Sequence, residues 1–110
     1  MKYFEKIKDN WDFRRIYNRG NSAVANEFVL YACGGKPGKV RLGITVSKKI
    51  GCAVSRNRAK RVITAAFREC AKDIPQGDFV IVARSRILRA KSTLVAEILK
   101  KQLEKFGFLK

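Results

Sequence analysis

Basic side chains dominate the middle of this sequence. Between residues 28 and 68 there is no Asp or Glu, whereas the same stretch holds ten lysines and arginines. A block of like charge repels itself unless a polyanion lies against it, so these residues predict a phosphate-binding surface. The ten residues are Lys36, Lys39, Arg41, Lys48, Lys49, Arg56, Arg58, Lys60, Arg61 and Arg68.

Two arginines stand at the predicted start of a central helix, where the positive end of the helix dipole prefers an acidic residue. With Ser55 as the cap, the first turn contains Arg56 and Arg58. Residues that break a local rule in this way are more often functional than structural, and arginines beside helix amides suit phosphate groups. Alternatively the helix begins nearer Gly51, which moves both arginines inward and reduces the unfavourable interaction. Phosphate binding is expected in either case.

Four other residues in or near this stretch offer contacts besides charge. Asn57 adds hydrogen-bonding capacity between the two arginines, although it also suits an ordinary polar helix position. Phe13, Tyr17 and Tyr31 are candidates for stacking on unpaired bases. Aromatic residues at helical spacing are equally typical of a core, so both readings stay open for Phe13 and Tyr17.

Groups that could catalyse a reaction are scarce. The chain has no histidine, and Cys33, Cys52 and Cys70 are widely spaced without a Cys-x-x-Cys pair. This excludes the usual zinc signatures, argues against a disulfide framework and favours a reducing cytoplasm. A nuclease that acts alone usually needs histidine or clustered carboxylates, and the nine acidic residues avoid the basic stretch. The sequence therefore predicts no catalytic residue and identifies no metal ligand.

Length and charge limit the choice of architecture and partner. A chain of 110 residues with 46% hydrophobic residues suits one folded domain, which we assign to residues 1–110. The 25 lysines and arginines against nine acidic residues give a net charge of +16, which favours nucleic acid. A membrane is disfavoured, because the sequence shows no spanning segment, signal peptide or lipidation motif.

The elements that position these residues follow from hydrophobic periodicity. The pattern predicts a short first helix that Asp9 or Asn10 caps and Gly20 ends. A possible edge strand follows at residues 21–25, and a strand covers residues 28–33. The next strand, with Leu42, Ile44 and Val46 on one face, is expected to form a hairpin with it across a glycine-rich turn. The small, polar opposite face beside Tyr31 leaves room for a nucleobase.

The second half of the chain alternates between helix and strand. The central helix has a regular apolar face, on which Cys70 is expected to act as a filler. The continuous apolar run at residues 79–83 predicts a central strand covered on both faces. Ser92 or Thr93 is expected to cap a last helix. Its apolar arc contains Leu94, Ile98, Leu99, Leu103 and Phe106.

Residues 41–68 also form a long, ordered pattern. The pattern reads Arg41-Leu42-Gly43-Ile44-Thr45-Val46-Ser47-Lys48-Lys49-Ile50-Gly51, then Ala53-Val54-Ser55-Arg56-Asn57-Arg58-Ala59-Lys60-Arg61, then Phe67-Arg68. The flanks at residues 13–20, 28–31 and 78–84 fit the same arrangement. The pattern closely resembles the signature of the bacterial ribonuclease P protein subunit, and the resemblance covers nearly the entire chain.

The resemblance implies an α+β two-layer sandwich of order α-β-β-β-α-β-α. Its four-stranded mixed sheet would be similar to that of a ribosomal-protein second domain, with a left-handed β-α-β crossover against the usual rule. It further implies a cytoplasmic subunit that joins a catalytic RNA and promotes endonucleolytic removal of the 5′ leader from precursor tRNA. The RNA subunit and its Mg²⁺ would perform the hydrolysis, and no DNA partner is expected.

Site residues are carried over from the resemblance by position. The residues implied to contact the catalytic RNA and the substrate backbone are Lys48, Lys49, Arg56, Asn57, Arg58, Lys60, Arg61 and Arg68. Phe13, Tyr17 and Tyr31 match positions that line a cleft for the single-stranded leader. The chain departs from the family at Thr64, where many members have Arg, and in its short basic N-terminal extension.

Two other functions remain compatible with some of these features. A ribosome-associated or general single-strand RNA-binding protein would need the same charge and aromatic residues. A nuclease that works without RNA has little support, because it would need the catalytic groups that the sequence lacks.

Overall fold

Three helices pack against one mixed five-stranded sheet in the computed structural model, which describes residues 4–109. The helices are α1 (Asn10–Arg19), α2 (Ala53–Ala71) and α3 (Ser92–Lys105). The strands are β1 (Glu5–Lys6), β2 (Asn21–Val24), β3 (Phe28–Cys33), β4 (Val40–Thr45) and β5 (Gly77–Ala83). Two 3₁₀ turns, Lys48–Ile50 and Ser85–Arg89, precede α2 and α3. The α+β class is as predicted.

The sheet has the order β1-β4-β5-β3-β2, with β5 in the middle. β5 pairs antiparallel with β3 and parallel with β4. The central position predicted for the apolar run at residues 79–83 is confirmed, but the predicted hairpin between β3 and β4 is wrong. A strand that is apolar on both faces is most stable in the middle of a sheet, where helices can cover both faces. β5 therefore lies between β3 and β4. The glycine-rich connector at residues 34–39 passes across its end.

The predicted count of four strands is wrong by one. The additional strand is β1, whose two residues pair parallel with β4 through Glu5 opposite Arg41 and Lys6 opposite Leu42. Two residues are too few to produce a detectable alternation. The predicted edge strand is confirmed as β2, which pairs with β3. Apart from β1, the elements follow the expected α-β-β-β-α-β-α order, and α2 forms the crossover between β4 and β5.

The main core lies between one face of the sheet and the helices α2 and α3. Alternation along β3 places Phe28, Leu30 and Ala32 in this core. The buried face of α2 includes Ile63, Phe67 and the others that its period predicts except Val62, which is half-buried. The prediction that Cys70 fills an apolar face is confirmed, because Cys70 is fully buried and burial raises the pKa of its thiol to about 11.

Helix α1 covers part of the opposite face of the sheet. Ile16 is fully buried against Val80 and Ile7, with Phe13 and Tyr31 packed around them. Gly20 ends the helix, as predicted. The glycine is required by close approach, because an added Cβ would lie 2.6 Å from the backbone oxygen of Ile16.

The structure settles three predicted details of α2 and α3. α2 begins at Ala53, so the alternative start near Gly51 is the right one, and Arg56 and Arg58 lie inside the helix. The predicted cap of α3 is wrong, since Ser92 is already helical and Lys91 precedes it. The predicted inward position of Leu94 is also wrong, because that side chain is 43% exposed while its neighbour Val95 is buried. Asp9 precedes α1 but makes no side-chain cap bond.

Gly43 allows α1 to lie close to the sheet. A Cβ at this position would be 2.6 Å from Cε1 of Phe13. We expect Gly43→Ala to lower the free energy of unfolding by about 1–3 kcal/mol, because the ring must shift in a packed layer. Gly34→Ala is the matched control, since an added Cβ there meets no atom within 4 Å. Equal urea unfolding midpoints for the two variants would contradict this account of α1.

Within residues 4–109, no helix combines the length and apolarity that crossing a bilayer requires.

Candidate RNA-binding surface

The solvent-facing side of α2 carries most of the predicted phosphate-binding residues. Asn57, Arg58, Lys60, Arg61 and Arg68 are exposed, whereas Arg56 is half-buried. The helix periodicity places its apolar residues inward, so the charged residues between them must face water. The helix therefore presents a row of cations that spans about four turns.

These cations are not neutralised by the protein itself. Within residues 4–109, carboxylates lie within 4.0 Å only of Arg15, Arg41 and Lys72. None of the five cations on α2 named above has such a partner. No acidic residue occupies the first turn of α2 either. The self-repulsion that the sequence predicts is therefore present in the fold.

Lys48 and Lys49 lie beside the start of α2. Both are exposed on the 3₁₀ turn Lys48–Ile50, whose Ile50 is buried and anchors the turn. Gly51 follows with φ of 135°, a conformation that favours glycine, and leads the chain into Cys52 and α2. The turn thus holds the two ammonium groups next to the amino end of the helix.

Sequence reasoning missed a second basic segment that packs against α2. Arg58 Nε donates a 3.4 Å hydrogen bond to the backbone oxygen of Leu88, in the turn between β5 and α3. Arg58 and Arg61 also line an open cavity of about 420 Å³ with Lys91 and Thr93 at the start of α3. The charges were visible in the sequence as a basic run, which contains Arg84, Arg86, Arg89 and Lys91.

The aromatic candidates meet at the end of α1. The rings of Tyr17 and Tyr31 make an edge-to-face contact with centroids 4.9 Å apart. The hydroxyl groups of Tyr17 and Thr45 lie 3.0 Å apart in a hydrogen bond, which joins α1 to β4. Tyr17 is 37% exposed and Tyr31 is partly buried. The two rings therefore form an aromatic pair on the α1 side of the sheet, and Tyr17 is accessible to a ligand.

The expectation of free space for a base beside Tyr31 is wrong at Gly43, because Phe13 occupies that space. Its ring lies over Gly43 and packs against the small cluster of Ile7, Ile16 and Val80. The room predicted for a base over Gly43 is therefore already filled by the protein's own aromatic ring. The accessible part of this sheet face begins one residue pair further on, where Thr45 lies opposite Val82.

A buried carboxylate holds α1 against the sheet. Asp78 is 1% exposed and is the only buried charged residue in the part of the chain that the structure describes. Arg41 Nε and Nη2 donate hydrogen bonds of 2.9 and 2.8 Å to its two oxygens. Arg15 of α1 donates to the same carboxylate, and Arg41 also reaches Asp12 of α1 at 3.2 Å. We call these four residues the Asp78 cluster.

The Asp78 cluster corrects the role of Arg41. The sequence places Arg41 in the free basic block, but the structure uses its charge to bind Asp78 and Asp12. Burial raises the pKa of Asp78 more than any other single effect, yet the hydrogen bonds and positive charges of Arg41 and Arg15 together outweigh it. The pKa of Asp78 therefore lies below its ordinary value, while hydrogen bonding to Asp78 raises the pKa of both arginines.

Groups that hold metal ions are missing from this surface. Within residues 4–109, no three His, Cys, Asp or Glu side chains come together as a potential metal site. Asp12 and Asp78, which share Arg41, are occupied by arginines. The arrangement can bind phosphates and stack against bases, and it offers no cluster for metal-assisted hydrolysis.

Comparison with known proteins decides the family. The family model described as "Ribonuclease P" matches residues 1–107. The chain belongs to the ribonuclease P protein family. It is thus related to the protein component of a ribonuclease that acts in tRNA processing, and this membership confirms the resemblance seen in residues 41–68.

Curated relatives and solved structures agree with this membership. The ribonuclease P protein component of Staphylococcus haemolyticus is 46% identical over 84 residues, which cover 76% of this chain and 74% of the relative. That of Macrococcus caseolyticus is 45% identical over 85 residues, with the same coverage. The Staphylococcus aureus protein superimposes with a TM-score of 0.81 at 34% identity over the full length of both chains. The Thermotoga maritima protein reaches 0.78 at 30% identity and covers 92% of this chain and 96% of its own.

Membership gives the surface its biological setting. The protein is a subunit of a ribonuclease, and the cations on α2 that have no carboxylate partner within residues 4–109 are consistent with an RNA partner. Thr64, at which the resemblance implied a departure from the family, lies on α2 one turn after Lys60 and is only half-buried. Its short side chain lines a cavity together with Lys60.

Proposed function

We propose that α2 and the turn before it bind the catalytic RNA and the substrate backbone, while Tyr17 and Tyr31 contact the single-stranded 5′ leader of precursor tRNA. The RNA subunit and its Mg²⁺ carry out the hydrolysis, and the protein contributes no catalytic group. The observation that supports this division is the row of exposed cations on α2 without carboxylate partners. Phosphate is the partner that such a row requires.

Arg56, Arg58, Lys60, Arg61 and Arg68 supply the phosphate contacts in this proposal, with Lys48 and Lys49 at the entrance to the helix. Asn57, which is exposed between the two arginines, supplies hydrogen bonds that do not depend on charge. Lys91, which lines a cavity with Arg58 and Arg61, extends the same positive surface to the start of α3. Neutralising several phosphates in this way would allow the catalytic RNA and the precursor tRNA to approach each other at a lower Mg²⁺ concentration.

The direct test uses the catalytic RNA of a bacterial ribonuclease P at low Mg²⁺ concentration. Adding the chain should increase the rate of leader removal, and the chain alone should not cleave precursor tRNA. If the rate is unchanged while RNA is bound, the general single-strand RNA-binding function is favoured. Cleavage by the chain alone, lost on replacing a carboxylate, would instead indicate a nuclease that needs no RNA.

Tyr31 provides the test of the leader site. We expect Tyr31→Ala to weaken binding of leader-bearing precursor tRNA by about 1–3 kcal/mol, the contribution of one stacked base, and to leave mature tRNA unaffected. The ring packs edge-on against Tyr17, so Tyr31→Phe retains that contact and serves as the control. Affinities of the reconstituted complex can be measured by filter binding. Equal losses for both tRNAs would remove Tyr31 from the leader site.

A further inference from the structure

A small cavity lies between the short strand β1 and helix α2, at the edge of the sheet. Its volume is about 200 Å³, which is below the roughly 300–1,000 Å³ of sites for drug-sized ligands. Phe4, Leu42 and Ile44 form its apolar wall. Lys6, Lys60 and Thr64 contribute the polar groups that line it. The size and the apolar wall suit a single flat ring system, and the two lysines suit a negatively charged group attached to it.

The cavity exists because two covering elements stop short. Pairing of β1 with β4 ends at Lys6 opposite Leu42, so Ile44 lies beyond the end of the paired segment and remains only partly buried. On the α2 side, the short side chain of Thr64 leaves the space open one turn after Lys60. The ring of Phe4 is held by an edge-to-face contact with Phe67, with centroids 5.0 Å apart at 89°. One wall of the cavity is thus a fixed aromatic ring.

The polar groups select the class of ligand. Within the described residues 4–109, neither Lys6 nor Lys60 lies within 4.0 Å of a carboxylate. Two ammonium groups from different elements therefore line one cavity, where they suit a phosphate. The Thr64 hydroxyl can donate or accept a hydrogen bond at the edge of a base. Apolar walls with cations and a hydroxyl suit a nucleotide better than a purely apolar ligand.

We infer that this cavity receives one unpaired nucleotide of the RNA partner, with the base against Phe4, Leu42 and Ile44 and its phosphate between Lys6 and Lys60. The inference rests on the proposed function, since it places the same RNA on α2. Lys60 and Arg68 lie one turn before and one turn after Thr64. A strand whose backbone follows these cations passes the mouth of the cavity. The cavity would thereby add recognition of an extruded base to a surface that otherwise binds phosphates.

The first test is an NMR titration of the ¹⁵N-labelled full chain with adenosine 5′-monophosphate. Ribose 5-phosphate is the matched probe, because it has the phosphate and lacks the base. The nucleotide should bind with a Kd on the order of 1 mM and shift the amide signals of Ile44 and Thr64, since one base and one phosphate are engaged. Ribose 5-phosphate should leave Ile44 unchanged. Identical shifts from the two probes would overturn the inference.

The second test separates RNA from a free nucleotide as the occupant. Thr64→Leu fills the cavity without changing charge, and Thr64→Ser, which keeps the hydroxyl and leaves the cavity open, is the control. Thr64→Leu should abolish the shift of Ile44 and weaken binding to the catalytic RNA by about tenfold with an unchanged salt dependence. Nucleotide binding that is lost without any loss of RNA affinity would overturn the inference. If the wild-type chain fails to bind the catalytic RNA at all, the proposed function fails as well.

Discussion

Asp78→Asn is expected to lower the free energy of unfolding by about 3–5 kcal/mol, the largest effect of any single substitution considered for this fold. The change leaves shape almost intact but removes the charge that two arginines share. Arg15 and Arg41 would then be held close together with only Asp12 between them. Breaking a buried ion pair from one side costs this much because the remaining charges stay desolvated.

Urea unfolding followed by circular dichroism provides the measurement. Glu69→Gln is the matched control, since it makes the same chemical change in an exposed pair, where Lys72 lies 3.8 Å away. That pair should contribute no more than about 1 kcal/mol. Hydrogen exchange should also show that the amides of α1 lose protection first in Asp78→Asn, because the cluster joins α1 to the sheet. A loss of less than 1 kcal/mol would mean that the Asp78 cluster does not hold α1.

The pKa of Asp78 gives this prediction a pH dependence. Its folded-state pKa is below the ordinary value of about 3.9, so the unfolded chain binds the proton more readily. The stability that the ionised group provides is therefore present above the unfolded-state pKa and is lost as the pH falls through the folded-state pKa. Asp78→Asn should show a flatter decline in stability over the same acidic range. Parallel curves for the two proteins would contradict the assigned pKa shift.

Replacing Arg61 and Arg68 together with Ala should weaken binding to the catalytic RNA about 100-fold at low salt. Both side chains are exposed on α2 without a carboxylate partner in the described structure. A hydrogen bond to a charged group contributes about 1.5–3 kcal/mol, and each 1.4 kcal/mol is a factor of ten. Each lost phosphate contact should also reduce the slope of log affinity against log salt by up to about one unit.

The matched control removes two cations from another part of the surface. Lys101 and Lys105 are exposed near the end of α3, outside the row of cations on α2, and their replacement lowers the net charge equally. The Lys101→Ala, Lys105→Ala variant should retain nearly the full affinity and slope. Equal losses in the two double variants would indicate that net charge governs binding, and not the location of the cations on α2.

Local patterns predicted the elements whose burial follows a simple period. The alternation of β3 and the 3.6-residue repeat of α2 placed Phe28, Leu30, Ile63 and Phe67 correctly in the core. The apolar run of β5 correctly indicated a strand covered on both faces. In these elements, the same residues determine both the local conformation and the packing, so sequence alone was sufficient.

Pairing across long sequence separations could not be predicted in the same way. The hairpin expected between β3 and β4 does not form, because β5 pairs with both of these strands. β5 begins at Gly77, 32 residues after the end of β4 at Thr45. Arg41 looked like part of the free basic block, since its partners Asp12 and Asp78 are 29 and 37 residues away. Charge counting cannot distinguish a paired arginine from an exposed one.

The candidate site shows the same limit. The α2 cations were predicted from their own helix, whereas the basic segment at residues 84–91 joins them only through tertiary packing against Arg58. The residue pattern left the role of Phe13 open, and the structure places its ring in the space that had been expected to receive a base. Contacts between α1 and the sheet determine how much of that face remains accessible.

A cryo-electron microscopy structure of the chain with its catalytic RNA and a leader-bearing precursor tRNA tests the central claim most directly. The account predicts RNA phosphates against Arg56, Lys60, Arg61 and Arg68, and leader nucleotides beside Tyr17 and Tyr31. No protein side chain should contact the scissile phosphate. An assembly in which the cationic side of α2 faces solvent, or in which a protein carboxylate lies at the cleavage site, would contradict it.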